Sequence, residues 1–214
     1  MTAPLPTPIY RITHLGNLPI FLQRDGLHSP NHYPQNGLLY RTIHDSSVQA
    51  TRHMTTIPCG PGGTAHDYVA FYFGPLSPML LKLKSGQVPG YNEGQEPLIY
   101  LKSTCQEIVA RHLGFVFSDG HGIAAFTSYY DSLDRLGEVD WDVVNAKYWA
   151  DTNEQPDRKR RKQAEFLVHR FCPWEAIQEI AVINQARQRK VEAILARFPR
   201  RHQPVVSIHG NWYY

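Results

Sequence analysis

The chain has 214 residues, of which 42% are hydrophobic and 19% are charged, and this composition excludes an intrinsically disordered chain and a coiled coil. No apolar run approaches the roughly 18 residues of a membrane span, and the N-terminus shows no basic segment followed by an apolar one. Three widely spaced cysteines argue against a disulfide framework and against a cysteine-rich zinc site. We therefore expect one cytoplasmic domain without a membrane segment.

The charge is distributed unevenly along the chain. The 22 basic and 19 acidic residues give a net charge of +3, but residues 1–154 carry −4 and residues 155–214 carry +7. Five consecutive cations stand at Arg158–Lys162. Such asymmetry indicates a polyanionic partner, although a solvated basic face is the more common cause.

Hydrophobic alternation and turn residues predict the elements of the first half of the chain. We expect a strand at Tyr10–Thr13 and a short helix at Leu18–Arg24. Residues 28–66 are rich in His, Pro, Gly, Asn and Ser and are predicted to be a long irregular segment, a type that is usually functional. Aromatic and alternating residues predict strands at Asp67–Phe73 and Met79–Lys84.

The second half of the chain is predicted to combine further short strands and helices around an irregular segment at residues 122–163. Strands are expected at Leu98–Leu101, Phe115–Phe117, Glu165–His169 and Val205–Tyr214. Helices are expected at Ser103–Leu113, capped by Ser103 and Gln106, at Trp174–Glu179 and at Gln185–Phe198. Many short strands with few short helices predict an α+β fold built around an antiparallel sheet.

Glu165 is the first candidate for chemistry, because it opens a strand directly after the five cations. Neighbouring positive charge would keep its carboxylate ionised, and no nucleophile lies beside it in the chain. A fixed carboxylate of this kind suits the stabilisation of a cationic, sugar-like transition state in glycosyl transfer. The alternative is a solvated glutamate at a strand end.

Three further residue types suit a nucleotide ligand. His14 follows the first strand and offers ring nitrogens to ligand hydroxyls, or else caps the next turn. The planar fork of Arg52 suits a pyrophosphate, although most single arginines are solvated. Tyr72 or Phe71 offers a stacking face for a flat ring such as nicotinamide, unless both belong to the core. No histidine spacing matches a zinc motif, so no metal is expected.

The irregular segment before Glu165 combines cations with interleaved aromatic residues, which is the combination that single-stranded nucleic acid requires. The alternatives for the charge run are a solvated loop or an acidic protein partner. The aromatic residues are Tyr129, Tyr130, Trp141, Tyr148 and Trp149.

Four segments together, Tyr10–Leu18, Pro61–Leu80, Ser118–His121 and Arg161–Val168, resemble the DarT family of DNA ADP-ribosyltransferase toxins over nearly the whole chain. The resemblance implies one ADP-ribosyltransferase domain at residues 1–214, with a split antiparallel β core that binds NAD+ in a central cleft. It implies transfer of ADP-ribose from NAD+ to a thymine or guanine in single-stranded DNA, without a metal. It also implies a macrodomain antitoxin as partner, and we expect a monomer.

The resemblance carries residue roles over by position. It implies an NAD-binding element near residues 35–53 and a substrate loop near residues 119–165, with Glu165 and Arg52 as catalytic residues. Because the segment around Arg52 matches poorly, Arg41 is the reserve candidate, and Ala70 stands where the family usually has proline. The implied NAD+ contacts are Thr13, His14, Leu15, Asn17, Leu22, Pro30, Arg52 and Tyr72. The implied DNA contacts are Tyr129, Tyr130, Trp149, Arg158, Arg160, Arg161 and Lys162.

The resemblance also suggests a mechanism. Glu165 would hold a hydroxyl of the nicotinamide ribose and stabilise the oxocarbenium-like state as nicotinamide leaves. Arg52 would contact a phosphate and position the attacking base nitrogen or accept its proton. The target base would be splayed out of a single strand, since stacking and pairing would hide that nitrogen.

Two other functions stay open from the sequence. One is an ADP-ribosyltransferase that modifies RNA or protein, since no residue pattern recognises or excludes a 2′-hydroxyl. The other is a non-catalytic module that binds single-stranded nucleic acid, whose binding would survive the substitution Glu165→Ala.

Overall fold

The computed structural model describes residues 2–214, and most of its strands form one mixed sheet with short helices packed on it. The strands are β1 (Pro8–His14), β2 (Gly26–His28), β3 (Tyr68–Tyr72), β4 (Leu98–Thr104), β5 (Phe115–Ser118), β6 (Tyr129–Tyr130), β7 (Glu165–His169), β8 (Phe171–Pro173), β9 (Glu179–Val182) and β10 (Val205–Ile208). The α-helices are α1 (Leu18–Gln23), α2 (Ser46–Met54), α3 (Pro78–Lys84), α4 (Cys105–Ala110), α5 (Trp141–Asn145), α6 (Arg158–Arg161) and α7 (Gln185–Leu195).

The large sheet has the strand order β10-β9-β4-β1-β3-β7-β5-β6, and its pairs are antiparallel apart from β10 with β9. The strands β2 and β8 form a separate small sheet. The α+β prediction is thereby confirmed. β1 pairs with β4 along its whole length, but it pairs with β3 only at Tyr10 and Tyr72. The sheet therefore opens between β1 and β3, and this split positions the site described below.

Alternating side chains pack both faces of the sheet. In β1, Ile9 enters one apolar cluster, whereas Tyr10 and Ile12 enter the cluster on the opposite face. β4 divides in the same way, with Ile99 in the first cluster and Tyr100 in the second. Successive side chains of an extended backbone point to opposite faces of the sheet, which gives this two-residue period. β1 and β4 are therefore anchored by core packing on both faces.

The strand predicted at Met79–Lys84 is wrong, because this segment forms helix α3. The Ser77 hydroxyl accepts a hydrogen bond from the Leu80 backbone N–H, and Pro78 occupies the first turn, where its missing N–H costs nothing. Leu80 and Leu83 are fully buried, at helical spacing. In this helix Leu81 and Lys84 are exposed and Lys82 is half-buried, so the Leu/Lys alternation does not separate two faces.

The predicted irregular segment at residues 28–66 contains helix α2, which the sequence analysis missed. The Asp45 carboxylate accepts a hydrogen bond from the Ser47 N–H and caps this helix. Its sequence is mostly polar, so hydrophobic periodicity gave no signal. Its one buried side chain is Arg52, and burial of a cation is not a pattern that amphipathicity reveals.

Several element boundaries also differ. The helix predicted at Ser103–Leu113 is α4, and its cap is Thr104, because Ser103 lies inside β4 and donates to Ala176 O. The helix predicted at Trp174–Glu179 is a single 3-10 turn that precedes β9, and the last predicted strand ends at Ile208. Within residues 2–214, no helix combines the length and the apolarity that crossing a membrane requires.

Candidate active site

A cavity of about 290 Å³ lies where β1 and β3 separate. Its walls come from β1, β3, α2, α3 and the start of β7, so residues far apart in the sequence meet there. This volume lies at the lower end of the range for small-molecule sites. The polar and charged residues that line it are Arg11, His44, Asp45, Gln49, Arg52, Tyr72, Lys82, His121, Lys159, Gln163 and Glu165.

Arg52 and Glu165 form a buried ion pair in this cavity. Arg52 Nη1 donates to both carboxylate oxygens of Glu165, at 2.9 and 2.8 Å, and the two side chains are 8% and 4% exposed. Burial alone would lower the pKa of Arg52, but the Glu165 carboxylate outweighs burial and holds that pKa above its ordinary value. The structure thus brings together the two residues implied to be catalytic, which stand 113 positions apart.

Arg41, the reserve candidate, does not reach this pair. Its guanidinium bonds to Glu93, and its backbone is clamped by Asn17, whose amide accepts from Arg41 N–H at 2.7 Å and donates to Arg41 O at 3.0 Å. The geometry therefore favours Arg52 as the arginine that acts with Glu165.

A turn at the end of β5 holds Glu165 in place. The Glu165 backbone N–H donates to Ser118 Oγ at 3.2 Å, and Ser118 Oγ donates to Gly120 O at 2.7 Å. A side chain at Gly122 would place its Cβ 2.9 Å from a Glu165 carboxylate oxygen and from Tyr129 Oη. The turn approaches the Glu165 carboxylate so closely that this position requires glycine, and the turn covers one side of the carboxylate.

Tyr72 faces Glu165 across the pairing of β3 with β7, and it lines the cavity. Burial and the Glu165 carboxylate raise the pKa of Tyr72 well above its usual range, so the phenol stays protonated. Its hydroxyl lies 3.7 Å from Met79 Sδ. Phe71 also lines the cavity, although it is 1% exposed and belongs to the core, which favours Tyr72 as the ring that can stack on a ligand.

Two histidines that the sequence analysis did not select also line the cavity. Burial, with the cations Arg11 and Arg52 nearby, lowers the pKa of His44 to about 3. Burial also lowers the pKa of His121, against the opposing effect of Glu165. Both rings are therefore neutral near pH 7. His121 belonged to the segment Ser118–His121 that carried the resemblance, whereas nothing in the sequence distinguished His44.

The residues implied to bind NAD+ fall into separate places. Tyr72 and Arg52 line the cavity, but the group at the end of β1, which comprises Thr13, His14, Leu15 and Asn17, does not. His14 Nδ1 accepts from Gly16 N–H at 2.9 Å and caps the following turn. His14 Nε2 lies 3.6 Å from a Glu93 carboxylate oxygen and makes no hydrogen bond within residues 2–214.

Leu22 and Pro30 lie elsewhere. The Leu22 side chain is fully buried in the core on α1 and offers no surface to a ligand. Pro30 is exposed in the turn after β2 and does not line the cavity. Their roles in NAD+ binding stay predictions, as do the limits of the NAD-binding element and of the substrate loop.

Three of the four cations implied to bind DNA are occupied inside the protein. Arg160 pairs with Asp119 and Asp157, and Arg161 pairs with Asp140. Lys162 is 4% exposed, and its ammonium donates to the carbonyls of Val144 and Ala146. The run forms helix α6 instead of the expected loop, and this turns most of its charge inward.

Arg158 donates to Tyr148 O, and its Nε is buried without a hydrogen bond within the described part of the chain. Lys159, which the sequence analysis passed over, is exposed and lines the cavity. Its backbone N–H bonds to Asp151, but its ammonium makes no ion pair within residues 2–214. Lys159 is thus the member of the run that offers free positive charge at the site.

The implied aromatic contacts are also partly used internally. Tyr129 Oη donates to Gly122 O, Tyr130 stacks on Phe117 with ring centroids 5.2 Å apart, and Trp149 Nε1 donates to Tyr214 Oη. The freely accessible rings of this region are instead Phe126 and Tyr148, which are 78% and 79% exposed.

A shallow depression adjoins the cavity and shares three of its residues, His121, Lys159 and Gln163. Its other side is formed by the segment around Pro156 and Asp157. The depression and the cavity therefore adjoin at these three residues.

The chain that forms this site is similar to known proteins. The family model described as "ssDNA thymidine ADP-ribosyltransferase, DarT" matches residues 10–214. This chain belongs to the DarT family. It is 42% identical, over 100% of its own length and 99% of the relative's, to a DNA ADP-ribosyl transferase of Thermus sp. (strain 2.9).

Solved structures of the DarT protein from Thermus sp. 2.9 agree in fold. The complex with ADP-ribosylated single-stranded DNA matches with a TM-score of 0.94 and 41% identity, and covers 100% of this chain and 99% of that chain. The complex with NAD+ matches with a TM-score of 0.89 and 41% identity, and covers 100% of both chains. The ADP-ribosyltransferase fold implied by the resemblance is confirmed.

Proposed function

We propose that this protein transfers ADP-ribose from NAD+ to thymidine in single-stranded DNA. The observation that carries the proposal is the buried Arg52–Glu165 pair in the sheet opening of a chain that belongs to the DarT family. The family description names thymidine, which narrows the expected choice between thymine and guanine.

The charge of the cavity fits NAD+. Four cations line it (Arg11, Arg52, Lys82 and Lys159) against two carboxylates (Asp45 and Glu165), and both histidines are neutral. The described lining therefore carries an excess of two positive charges. A diphosphate supplies two negative charges, and the Tyr72 ring supplies a face for a planar base.

Glu165 is placed to accept hydrogen bonds from a sugar hydroxyl and to stabilise positive charge that develops on the sugar as its bond to nicotinamide breaks. Its backbone is fixed by Ser118, and its carboxylate by Arg52, so little reorganisation is needed when charge appears. This rigidity supports an electrostatic role for Glu165 in preference to a nucleophilic one.

The proposed role of Arg52 concerns the acceptor base. Within thymidine, the ring nitrogen that is not bonded to the sugar is N3, which carries a proton that must leave as N3 bonds to the ribose carbon. Because its guanidinium stays protonated, Arg52 does not accept this proton. It orients the base and stabilises the negative charge that develops on it as the N3 proton passes to solvent water, while Glu165 keeps the guanidinium in position.

The single strand is expected to approach along the depression beside the cavity. The free ammonium of Lys159 pairs with a phosphate, and the exposed rings of Phe126 and Tyr148 offer stacking faces. This replaces the original expectation for Arg160, Arg161 and Lys162, whose charges are already used.

The test is mass spectrometry of oligonucleotides after incubation with NAD+ and wild-type, Arg52→Ala, Glu165→Gln or Arg41→Ala protein. We expect a mass gain of one ADP-ribose on thymidine-containing single strands, lost in the first two variants and retained in Arg41→Ala. ADP-ribose found only on RNA or only on protein would instead favour an ADP-ribosyltransferase that modifies RNA or protein. DNA binding without NAD+ consumption would favour a non-catalytic module.

A macrodomain antitoxin, a monomeric state and a cytoplasmic location are further proposals that rest on the family.

A further inference from the structure

Arg11 lies in the sheet opening and is not used by the mechanism above. It belongs to β1, lines the cavity, and its Nη1 donates to Ala70 O at 2.8 Å. This carbonyl belongs to β3, at the place where the pairing of β3 with β1 has ended. The side chain thus bridges the split from one strand to the other.

The opposite edge of the Arg11 guanidinium is unoccupied by protein. Nε is buried and has no hydrogen-bond partner, and Nη2 donates no hydrogen bond within residues 2–214. Nε and Nη2 carry the parallel N–H groups that an arginine uses to bind a phosphate or carboxylate in bidentate fashion. A buried donor left unpaired is costly, and native proteins rarely retain one without a function.

No carboxylate neutralises this charge within the described residues. The groups that face it from neighbouring elements are Tyr40, Tyr72, Cys172 and the second cation Arg52, and none of them is a carboxylate. Burial lowers the pKa of Arg11, and Arg52 lowers it further. Arg52, by contrast, has Glu165. Arg11 is therefore a half-buried cation with a buried Nε, and an anion from outside the chain would balance its charge.

We propose that Arg11 binds the diphosphate of NAD+ through its free Nε–Nη2 edge. The inference rests on the proposed function, because it requires NAD+ to enter this cavity. A diphosphate is favoured over a DNA phosphate because Arg11 lines the cavity but not the depression along which the strand is expected to approach. The bond to Ala70 O keeps the free edge in a fixed orientation, so the site is prepared before the ligand binds.

The experiment compares two ligands by isothermal titration calorimetry, using the full chain. ADP-ribose contains the diphosphate and cannot be turned over, whereas nicotinamide riboside contains no phosphate. The variants are Arg11→Gln, which removes the charge but keeps a polar amide, and Arg11→Met, which removes both the charge and the hydrogen-bond donors. The matched control is Arg135→Met, which removes an exposed arginine paired with Glu138.

We expect both Arg11 variants to weaken ADP-ribose binding roughly 10- to 100-fold, the range for losing a charge-assisted hydrogen-bond pair. Nicotinamide riboside binding should change less than threefold, and Arg135→Met should change neither. The thermal unfolding midpoint of Arg11→Met should equal or exceed the wild-type value, because an unpaired buried charge is removed. That stability result separates a ligand-binding role from a purely structural one.

Three results would overturn the inference. Unchanged ADP-ribose affinity in both variants would show that Arg11 does not bind the diphosphate. Equal losses for both ligands, with a lower unfolding midpoint, would show that Arg11 only supports the sheet. A loss of oligonucleotide affinity with ADP-ribose affinity intact would assign Arg11 to a DNA phosphate. If the wild-type chain itself bound no ADP-ribose, the proposed function would fail as well, so the two failures are distinguishable.

Discussion

Removing one partner of the Arg52–Glu165 pair should destabilise the fold far more than removing both. In Glu165→Gln the guanidinium of Arg52, 8% exposed, loses the carboxylate that accepts both of its Nη1 hydrogen bonds. A buried charge left without its partner costs about 3–5 kcal/mol, and the sheet opening admits some solvent, so we expect about 3 kcal/mol. For a chain of this length, that free energy corresponds to a decrease of roughly 6–12 °C in the unfolding midpoint.

The assay is a double-mutant cycle by urea unfolding, with wild type, Arg52→Met, Glu165→Gln and the double variant. We expect each single substitution to lower the free energy of unfolding by about 3 kcal/mol, and the double variant to recover most of the loss, because no uncompensated charge remains. All three variants should lack transferase activity, so stability and activity are separated in the double variant. Single losses below about 1 kcal/mol, or a double variant equal to the sum of the singles, would refute this reasoning.

Three further predictions concern Lys159, Lys162 and Asn17. Lys159→Ala should weaken binding of single-stranded DNA and leave the stability of the protein unchanged. It should also reduce the slope of log K against log salt concentration by about 0.7, whereas a slope equal to that of the wild type would contradict a phosphate contact. Burial lowers the pKa of Lys162 to about 8, below its unfolded value of about 10.4, so the folded state releases the proton first and stability should rise between pH 8 and 9.5. Unfolding curves of Lys162→Met should lack that rise, and its persistence would contradict the assignment. Asn17→Ala should lower the free energy of unfolding by about 2 kcal/mol, because two hydrogen bonds to the Arg41 backbone disappear. The same substitution should raise the KM for NAD+. An unchanged KM would show that these two hydrogen bonds do not contribute to NAD+ binding.

Local patterns predicted several strands because their side chains enter the core with the period of two that an extended chain imposes. β1, β4 and β7 lie where the sequence predicted strands, and because both faces of the sheet are covered in this fold, most of their residues are buried. The same rule failed at Met79–Lys84, where the alternation was accidental. There the Ser77 cap and Pro78 in the first turn favour a helix. It failed at α2 as well, because a polar helix leaves no apolar period to detect.

The basic segment shows the limit of charge as a signal. Five cations in a row predicted DNA contacts for Arg160, Arg161 and Lys162, yet their partners are acidic side chains and carbonyls brought in by the fold. Lys159 differs from its neighbours only in the direction that one turn of helix gives it. No sequence pattern distinguishes a cation that is neutralised across the fold from one that is free.

The sequence by itself determined the α+β class and the family, and it proposed Glu165 as a catalytic residue, because these inferences depend on local alternation and on an ordered set of short segments. Tertiary structure alone decided which arginine meets Glu165, since residues 113 positions apart are joined only when β7 pairs with β3 and α2 packs over the sheet opening. It also decided that Arg11 keeps an unpaired edge in that opening. Charge balance in a buried site depends on which groups are near in space, and distance in space is the quantity that a linear sequence does not contain.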